Sequence, residues 1–330
     1  MVKTTKLRKF AVGFLVASMT ICFTGLGQSA FAASKTSSKT FTGKYVYSAA
    51  QAKKALKNKN VKLVDTRGAD DIKKSKNGTI KGASTMVWQQ ISHTPMTDGT
   101  KPGEANFARS LSAKGMSKAL GKLGLGVNDK IILISDGYAT GGWGDDGRVA
   151  WQLIQCGYKN VHIVSGGVPA LKKAGMKTTK SVVTRKAKKV TIKKVDTTSH
   201  DITTAKLKKN YSKYTIIDSR TAKEYNGAQD YGETKGGHLK DAVNIPFASM
   251  FNKDGTLKSN AALTKMFEKK GISKNDYVVT YCTGGIRSGY MQLVLQQLGY
   301  KHTYNYAESA YRWSNTDSAE TAAYWVNLGK

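Results

Sequence analysis

The sequence predicts an α/β fold built twice, as two domains that each hold a mainly parallel sheet flanked by helices. Two observations carry this. The first is an internal repeat. Residues 61–67 end in Asp65-Thr66-Arg67 and are followed by Gly78-Thr79-Ile80-Lys81-Gly82-Ala83, while residues 214–220 end in Asp218-Ser219-Arg220 and are followed by Gly237-His238-Leu239-Lys240-Asp241-Ala242. Each half then has an apolar run, residues 131–134 ahead of Ser135-Asp136 and residues 277–281 ahead of Cys282. Both runs lead through a glycine-rich loop into a helical stretch that stops at Gly157-Tyr158 or Gly299-Tyr300. The second observation is that short apolar runs bounded by Asp and Gly alternate with longer amphipathic stretches, as buried parallel strands and crossover helices require.

In chain order, Lys3, Lys6, Arg8 and Lys9 form a basic segment, residues 10–27 are largely apolar and uncharged, and Ala30-Phe31-Ala32 supplies the small residues of a cleavage site. Residues 1–32 are therefore expected to be a signal peptide, with the mature chain secreted or associated with the cell envelope. A retained membrane anchor is the rival reading, and the Gly, Ser and Thr within the apolar stretch weigh against it. Lipid attachment at Cys22 is disfavoured because Ile21 precedes it where a small residue is wanted. Cleavage lowers the formal net charge from +31 to +27. Residues 33–45, polar and rich in Lys, Ser and Thr, are expected to form a flexible mature N-terminus.

Such a basic chain attracts anions, whether small oxyanions, acidic wall polymers or a membrane surface, although a solvated lysine-rich surface accounts for most of the charge. Nucleic acid is not expected as a partner, because no binding motif accompanies the charge and export removes the opportunity. Cys156 and Cys282 remain after cleavage, too few for a disulfide framework. The first expected domain covers residues 46–176. Residues 177–201, dominated by Lys, Thr, Ser and Val with little periodicity, are expected to be a basic linker, and residues 202–330 the second domain.

Cys282 sits between a predicted strand over 277–281 and a helix that begins near Ile286, with Gly284 and Gly285 clearing side chains from the turn. That position lets backbone N–H groups face the sulfur. The helix N-terminus and Arg287 add positive charge, so the thiolate is favoured and Cys282 reads as a nucleophile. Cys156, near the end of the helix before Gly157, has nothing beside it in sequence to activate it and reads as an inert buried thiol.

The run Cys282-Thr283-Gly284-Gly285-Ile286-Arg287-Ser288 resembles the active-site loop of rhodaneses. Asp218-Ser219-Arg220 with Glu224-Tyr225, the segment from Gly237 to Pro246, and Ser309 and Trp313 are similar to further signatures of tandem members of that family. The resemblance implies a three-layer α/β fold in each half and a sulfurtransferase that needs no metal or organic cofactor. Cys282 would carry sulfur as a persulfide between a small anionic donor, such as thiosulfate, and a thiol or cyanide acceptor. Thr283, Gly284, Gly285, Ile286, Arg287 and Ser288 would surround it, with Arg287 bracing the loop, and Arg220 would anchor the donor's anion unless it pairs with Asp218 or Glu224. His238 looks structural. The protein is expected to act as a monomer.

Phosphatases of the same fold place five residues between Cys and Arg, whereas four stand here, which favours sulfur over phosphate. Phosphatase or arsenate chemistry is the weaker alternative, as is a non-catalytic envelope-binding module. Asp136 stands where Cys282 stands in the repeat, so the first half should be catalytically silent. Its loop is longer, with 21 positions from Asp136 to Gly157 against 17 from Cys282 to Gly299, and is expected to close over the cleft between the halves rather than to bind Ca²⁺.

Overall fold

The computed structural model describes residues 40–315 and 319–328. The first half runs β1 (Val46–Tyr47), α1 (Ala49–Ala55), β2 (Lys62–Asp65), α2 (Ala69–Lys74), β3 (Thr79–Ile80) and β4 (Ser84–Thr85). It continues with α3 (Ala113–Lys122), β5 (Ile131–Ile134), α4 (Asp145–Gln155), β6 (Val161–Val164), α5 (Gly167–Lys173) and β7 (Thr178–Thr179). The second half runs α6 (Thr204–Lys209), β8 (Tyr214–Asp218), α7 (Ala222–Tyr225), β9 (Gly237–Leu239), β10 (Val243–Asn244) and α8 (Asn260–Glu268). Then follow β11 (Tyr277–Tyr281), α9 (Ile286–Gln297), β12 (His302–Asn305), α10 (Ser309–Ser314), α11 (Ala319–Ala322) and β13 (Trp325–Asn327).

The apolar runs become the sheet centres. A five-stranded sheet has the order β1-β6-β5-β2-β4 and a four-stranded sheet the order β10-β8-β11-β12, with every pairing parallel. Asp65 pairs with Ile134 in the first and Asp218 with Tyr281 in the second, and the Ser135 carbonyl accepts from Val168 as the Cys282 carbonyl accepts from Ala310, so Ser135, not the expected Asp136, occupies the place of Cys282 in the first half. All four residues of β5 are buried, as a strand covered by helices on both faces must be. The mixed α/β architecture with helix-flanked parallel sheets is the predicted one. Gly157 (φ 87°) and Gly299 (φ 86°) end α4 and α9 in the left-handed conformation that glycine accepts most readily.

The two halves form one compact unit because α4 and α9, each following the glycine-rich loop of its half, pack on each other. The contact is tightest at Gly147, where a Cβ would lie 2.4 Å from the Tyr290 ring; one on Gly289 would meet the Arg148 backbone at an ordinary contact distance of 3.5 Å. The consequence for α9 is burial on nearly every side from Arg287 to Leu295, beyond what an amphipathic helix on a single sheet would show.

Two stretches are better fastened than their composition suggests. Residues 1–39, which include the predicted signal peptide, lie outside the described residues. The expected flexible N-terminus is nevertheless tied down from Phe41, which is buried, while Thr42 exchanges two 2.8 Å hydrogen bonds with Asn260 and the Tyr45 N–H donates to Gln297 at 3.0 Å. The lysine-rich stretch 177–201 lies along the first half. The Lys188 N–H donates to the Gly121 carbonyl, the Ile192 N–H to the Ser117 hydroxyl, and Ile192 itself is buried. Lysines can line such a strap because their stems cover apolar surface while the amines stay in water.

Candidate active site

Cys282 leaves β11 at the C-terminal end of the parallel sheet, where side chains emerge toward the connecting loops. Gly285 then caps α9 at φ 81°, and a Cβ there would stand 2.6 Å from the Ala307 carbonyl oxygen, so the turn requires glycine. The result is a cradle. The Gly285 N–H donates to Cys282 Sγ at 3.1 Å and the Ser288 hydroxyl lies 3.7 Å from the same sulfur. From below, the Cys282 N–H donates to Ser309 Oγ at 3.2 Å, and the N–H groups of Ala310 and Tyr311 hold the carbonyls of Cys282 and Thr283 at 3.0 Å each. The Gly285 carbonyl accepts from Asn305 at 3.2 Å and from Arg148, of the other half, at 3.4 Å.

The two free cysteines give an internal comparison. Burial alone pushes the Cys156 thiol up to about 12. Cys282 is buried too, and burial pushes it the same way, yet the Arg287 charge, the Ser288 N–H and hydroxyl and the Gly284 N–H outweigh that and bring it below the usual thiol value.

Arg287 lines the cleft beside the sulfur and is firmly held. It forms two bonds to Glu224, of 2.8 and 2.6 Å, and one to the Thr283 hydroxyl at 2.9 Å. Burial would raise the Glu224 carboxyl, but Arg287 and Thr221 hold it down at about 2. The Thr283 hydroxyl also lies 3.1 Å from Glu224 and 3.2 Å from Glu233. Bracing is thus the geometric role of Arg287, as the sequence suggests.

Arg220 departs from the expectation that it anchors a donor. Its side chain is 1% exposed, it binds both carboxylate oxygens of Asp218 and the Gly237 carbonyl, and it does not line the cleft. The first half explains why. Arg67 makes the same pattern, to Asp65 at 2.9 and 2.6 Å and to the Gly78 carbonyl at 2.7 Å. A bond set that recurs without the cysteine serves the fold. His238 is likewise part of the framework, stacked on Tyr225 with centroids 3.7 Å apart. Asp136, expected in the place of the cysteine, lies one residue beyond it, with Ser135 at the matching register; it pairs with Arg67 at 2.9 Å and accepts from Ser75 at 3.2 Å.

Above Cys282 opens a cleft of about 320 Å³. Thr283, Gly284, Ile286 and Arg287 form its floor with the cysteine, whereas Gly285 and Ser288 act on the sulfur without lining the space. Tyr231 and Tyr311 of the second half and Trp88, Pro102, Phe107, Trp143 and Asp145 of the first form the walls. The long loop of the silent half therefore reaches the cleft, as expected, through Trp143 and Asp145. Among the described residues no group of three or more His, Cys, Asp and Glu side chains could hold a metal ion. Glu233, Arg148 and the aromatic walls were invisible to motif reasoning, since each approaches Cys282 only through the tertiary fold. A tryptophan in an otherwise small-residue loop was the one available hint.

The fold thus sets one acidified thiol in an amide cradle beside a cleft that both parallel-sheet halves line. Rhodanese-like domain models match residues 48–174 and 203–316, and the chain belongs to that family. It is 28% identical over 258 residues to the sulfur carrier protein TtuD of Thermus thermophilus, covering 74% of this chain and 86% of that one. It is 26% identical to the thiosulfate sulfurtransferase of Bos taurus over 234 residues, 69% of this chain and 73% of the relative. Among solved structures it resembles the 3-mercaptopyruvate sulfurtransferase SseA of Escherichia coli, with a TM-score of 0.65 at 19% identity, covering 81% of this chain and 99% of the other. A structure of EanB in complex with ergothioneine gives a TM-score of 0.67 at 17% identity, covering 83% and 68%. Sulfur transfer or sulfur carriage is the common activity of the named sequence relatives.

Proposed function

We propose that the protein is a sulfurtransferase that carries a sulfane sulfur on Cys282. The observation that supports this most directly is a buried thiol made more acidic by Arg287 and by loop N–H donors, at the floor of an open cleft. The Cys282 thiolate attacks the outer sulfur of thiosulfate or a related anionic donor. A new S–S bond forms on Cys282 as the donor's S–S bond breaks, and sulfite leaves with the electron pair. Cyanide or a thiolate then attacks the terminal sulfur, and the pair of the broken S–S bond returns to Cys282. The loop N–H groups, which already face the thiolate, are placed to hold the persulfide anion between the two steps.

The test is mass spectrometry of the protein after thiosulfate exposure, together with thiocyanate formation on adding cyanide. One added sulfur on Cys282, lost with all thiocyanate formation in Cys282→Ser, is the expected result. Activity that survives the substitution removes the reading. Export belongs to the same proposal and rests on residues 1–32; the intact mass of protein recovered outside the cell, expected to begin near Ala33, tests it.

A further inference from the structure

The cleft over Cys282 carries information about the molecule that takes the sulfur. Its charge is already spent. Arg287 and Glu224 are 6% and 1% exposed and neutralise each other, and Arg220 is committed to Asp218 outside the cleft. The remaining charged side chain in the lining is the carboxyl of Asp145. A small anion would find backbone N–H groups there but no uncommitted cation among the lining residues.

The walls, by contrast, are aromatic. Trp143 and Tyr231 meet edge to face with centroids 6.2 Å apart, each 44% exposed, and both lie over the Arg287 guanidinium at 5.4 and 5.5 Å. Phe107 meets Trp88 and Tyr311 edge to face at 6.5 and 5.8 Å, and the Tyr311 hydroxyl donates to the Tyr231 carbonyl at 2.7 Å. The space of about 320 Å³ far exceeds what cyanide or an inorganic sulfur anion fills. Three of these five rings come from the half that has no reactive cysteine, and Trp143 stands on a loop that is longer than the corresponding loop after Cys282. The silent half thus shapes the cleft.

Resting on the sulfur-transfer reading, we propose that the acceptor of the Cys282 persulfide is an organic thiol with a flat aromatic body, uncharged or cationic, held against the rings of Trp88, Phe107, Trp143, Tyr231 and Tyr311 that line the cleft. The persulfide anion takes the proton of the incoming thiol, and the acceptor thiolate so formed attacks the terminal sulfur. The new bond joins the acceptor sulfur to the terminal sulfur, the Cys282 S–S bond breaks, and its electron pair restores the Cys282 thiolate. The product is the acceptor's hydropersulfide, which keeps the proton of the terminal sulfur. No oxidant or reductant is consumed.

The test loads Cys282 with sulfur from thiosulfate, removes the excess, and follows loss of the added sulfur by intact mass. Benzyl mercaptan and 2-mercaptoethanol, thiols of similar acidity that differ in the ring, are compared at equal sub-saturating concentration, with cyanide as the reference acceptor. Benzyl mercaptan should discharge the persulfide at least about fivefold faster than 2-mercaptoethanol, the scale of one well-placed aromatic contact. Its para-carboxylate analogue should lose most of that advantage. In Trp143→Ala, and independently in Tyr231→Ala, the ratio of the two thiol rates should fall toward unity; both residues are half exposed, so the fold tolerates the change. Equal rates for the two thiols in the parent protein, or a ratio unchanged in both variants, would overturn the proposal while leaving cyanide discharge to uphold sulfur transfer. A Cys282 that takes up no sulfur, or a persulfide that cyanide does not discharge, would overturn both.

Discussion

Replacing Arg287 with Met removes one charge from the site and tests two consequences of opposite location. In the folded protein Glu224 is held at about 2 against an ordinary value of 4.5, mainly by Arg287 working against burial. That gap corresponds to about 3 kcal/mol of native-state stability. Because the folded value is the depressed one, the contribution is complete above about pH 4.5 and is lost as the pH falls through about 2. Breaking a pair whose members are 6% and 1% exposed also leaves a buried carboxylate without its cation, at a cost of about 3–5 kcal/mol. The bonds that Thr221 and Thr283 make to Glu224 place the expected loss at the lower end, about 3 kcal/mol at pH 7. The loss should shrink as the pH is lowered from 4.5, since the parent protein then surrenders the same stabilisation. At Cys282 the sign is the same as at the carboxyl, because Arg287 favours the anion in both. Removing Arg287 leaves burial less opposed, so the thiol moves up, in the direction of the burial-only value of about 12 seen at Cys156. Urea unfolding at pH 7 and pH 3, and the pH dependence of iodoacetamide alkylation in a Cys156→Ala background, measure the two effects. A variant within about 0.5 kcal/mol of the parent at pH 7, or an alkylation midpoint that stays put or falls, would refute the assignment of Arg287 as the cation that serves both groups.

Three further outcomes follow from the geometry. Gly285→Ala must place a Cβ at φ 81° and 2.6 Å from a backbone oxygen, so sulfur loading of Cys282 should fall by about tenfold or more; loading at the parent rate would contradict the cradle. Gly147→Ala drives a methyl into the Tyr290 ring and should lower unfolding stability by about 1–3 kcal/mol, with recovery when Tyr290 is also reduced to Leu, as a double-mutant cycle in urea would show. Arg220→Lys should cost about 3 kcal/mol of stability through its buried pair with Asp218 while the KM for thiosulfate stays within about twofold; a large rise in KM without destabilisation would return Arg220 to the donor.

Much of this protein is legible along the chain. Apolar runs at residues 131–134 and 277–281, and glycines at 157 and 299, specify buried strands and helix stops through local preferences alone, and the structure places β5, β11 and the ends of α4 and α9 there. The reactive loop is readable for the same reason. Gly284, Gly285 and Arg287 lie within five residues of Cys282, so the turn, the helix N-terminus and the nearby charge are all short-range properties of the sequence.

What sequence could not decide is where the charges end. Arg220 and Arg287 are both arginines near expected signatures, yet one is spent on Asp218 two residues away and the other on Glu224, sixty-three residues distant. Pairing of that kind depends on which strands become neighbours, and β8 beside β11 is a long-range event. The same holds for the cleft. Trp88, Phe107 and Trp143 approach Cys282 because α4 packs on α9, closely at Gly147, and no local pattern announces that contact. Local conformation determined the acidified thiol of Cys282, and helix packing between the halves determined what that thiol faces.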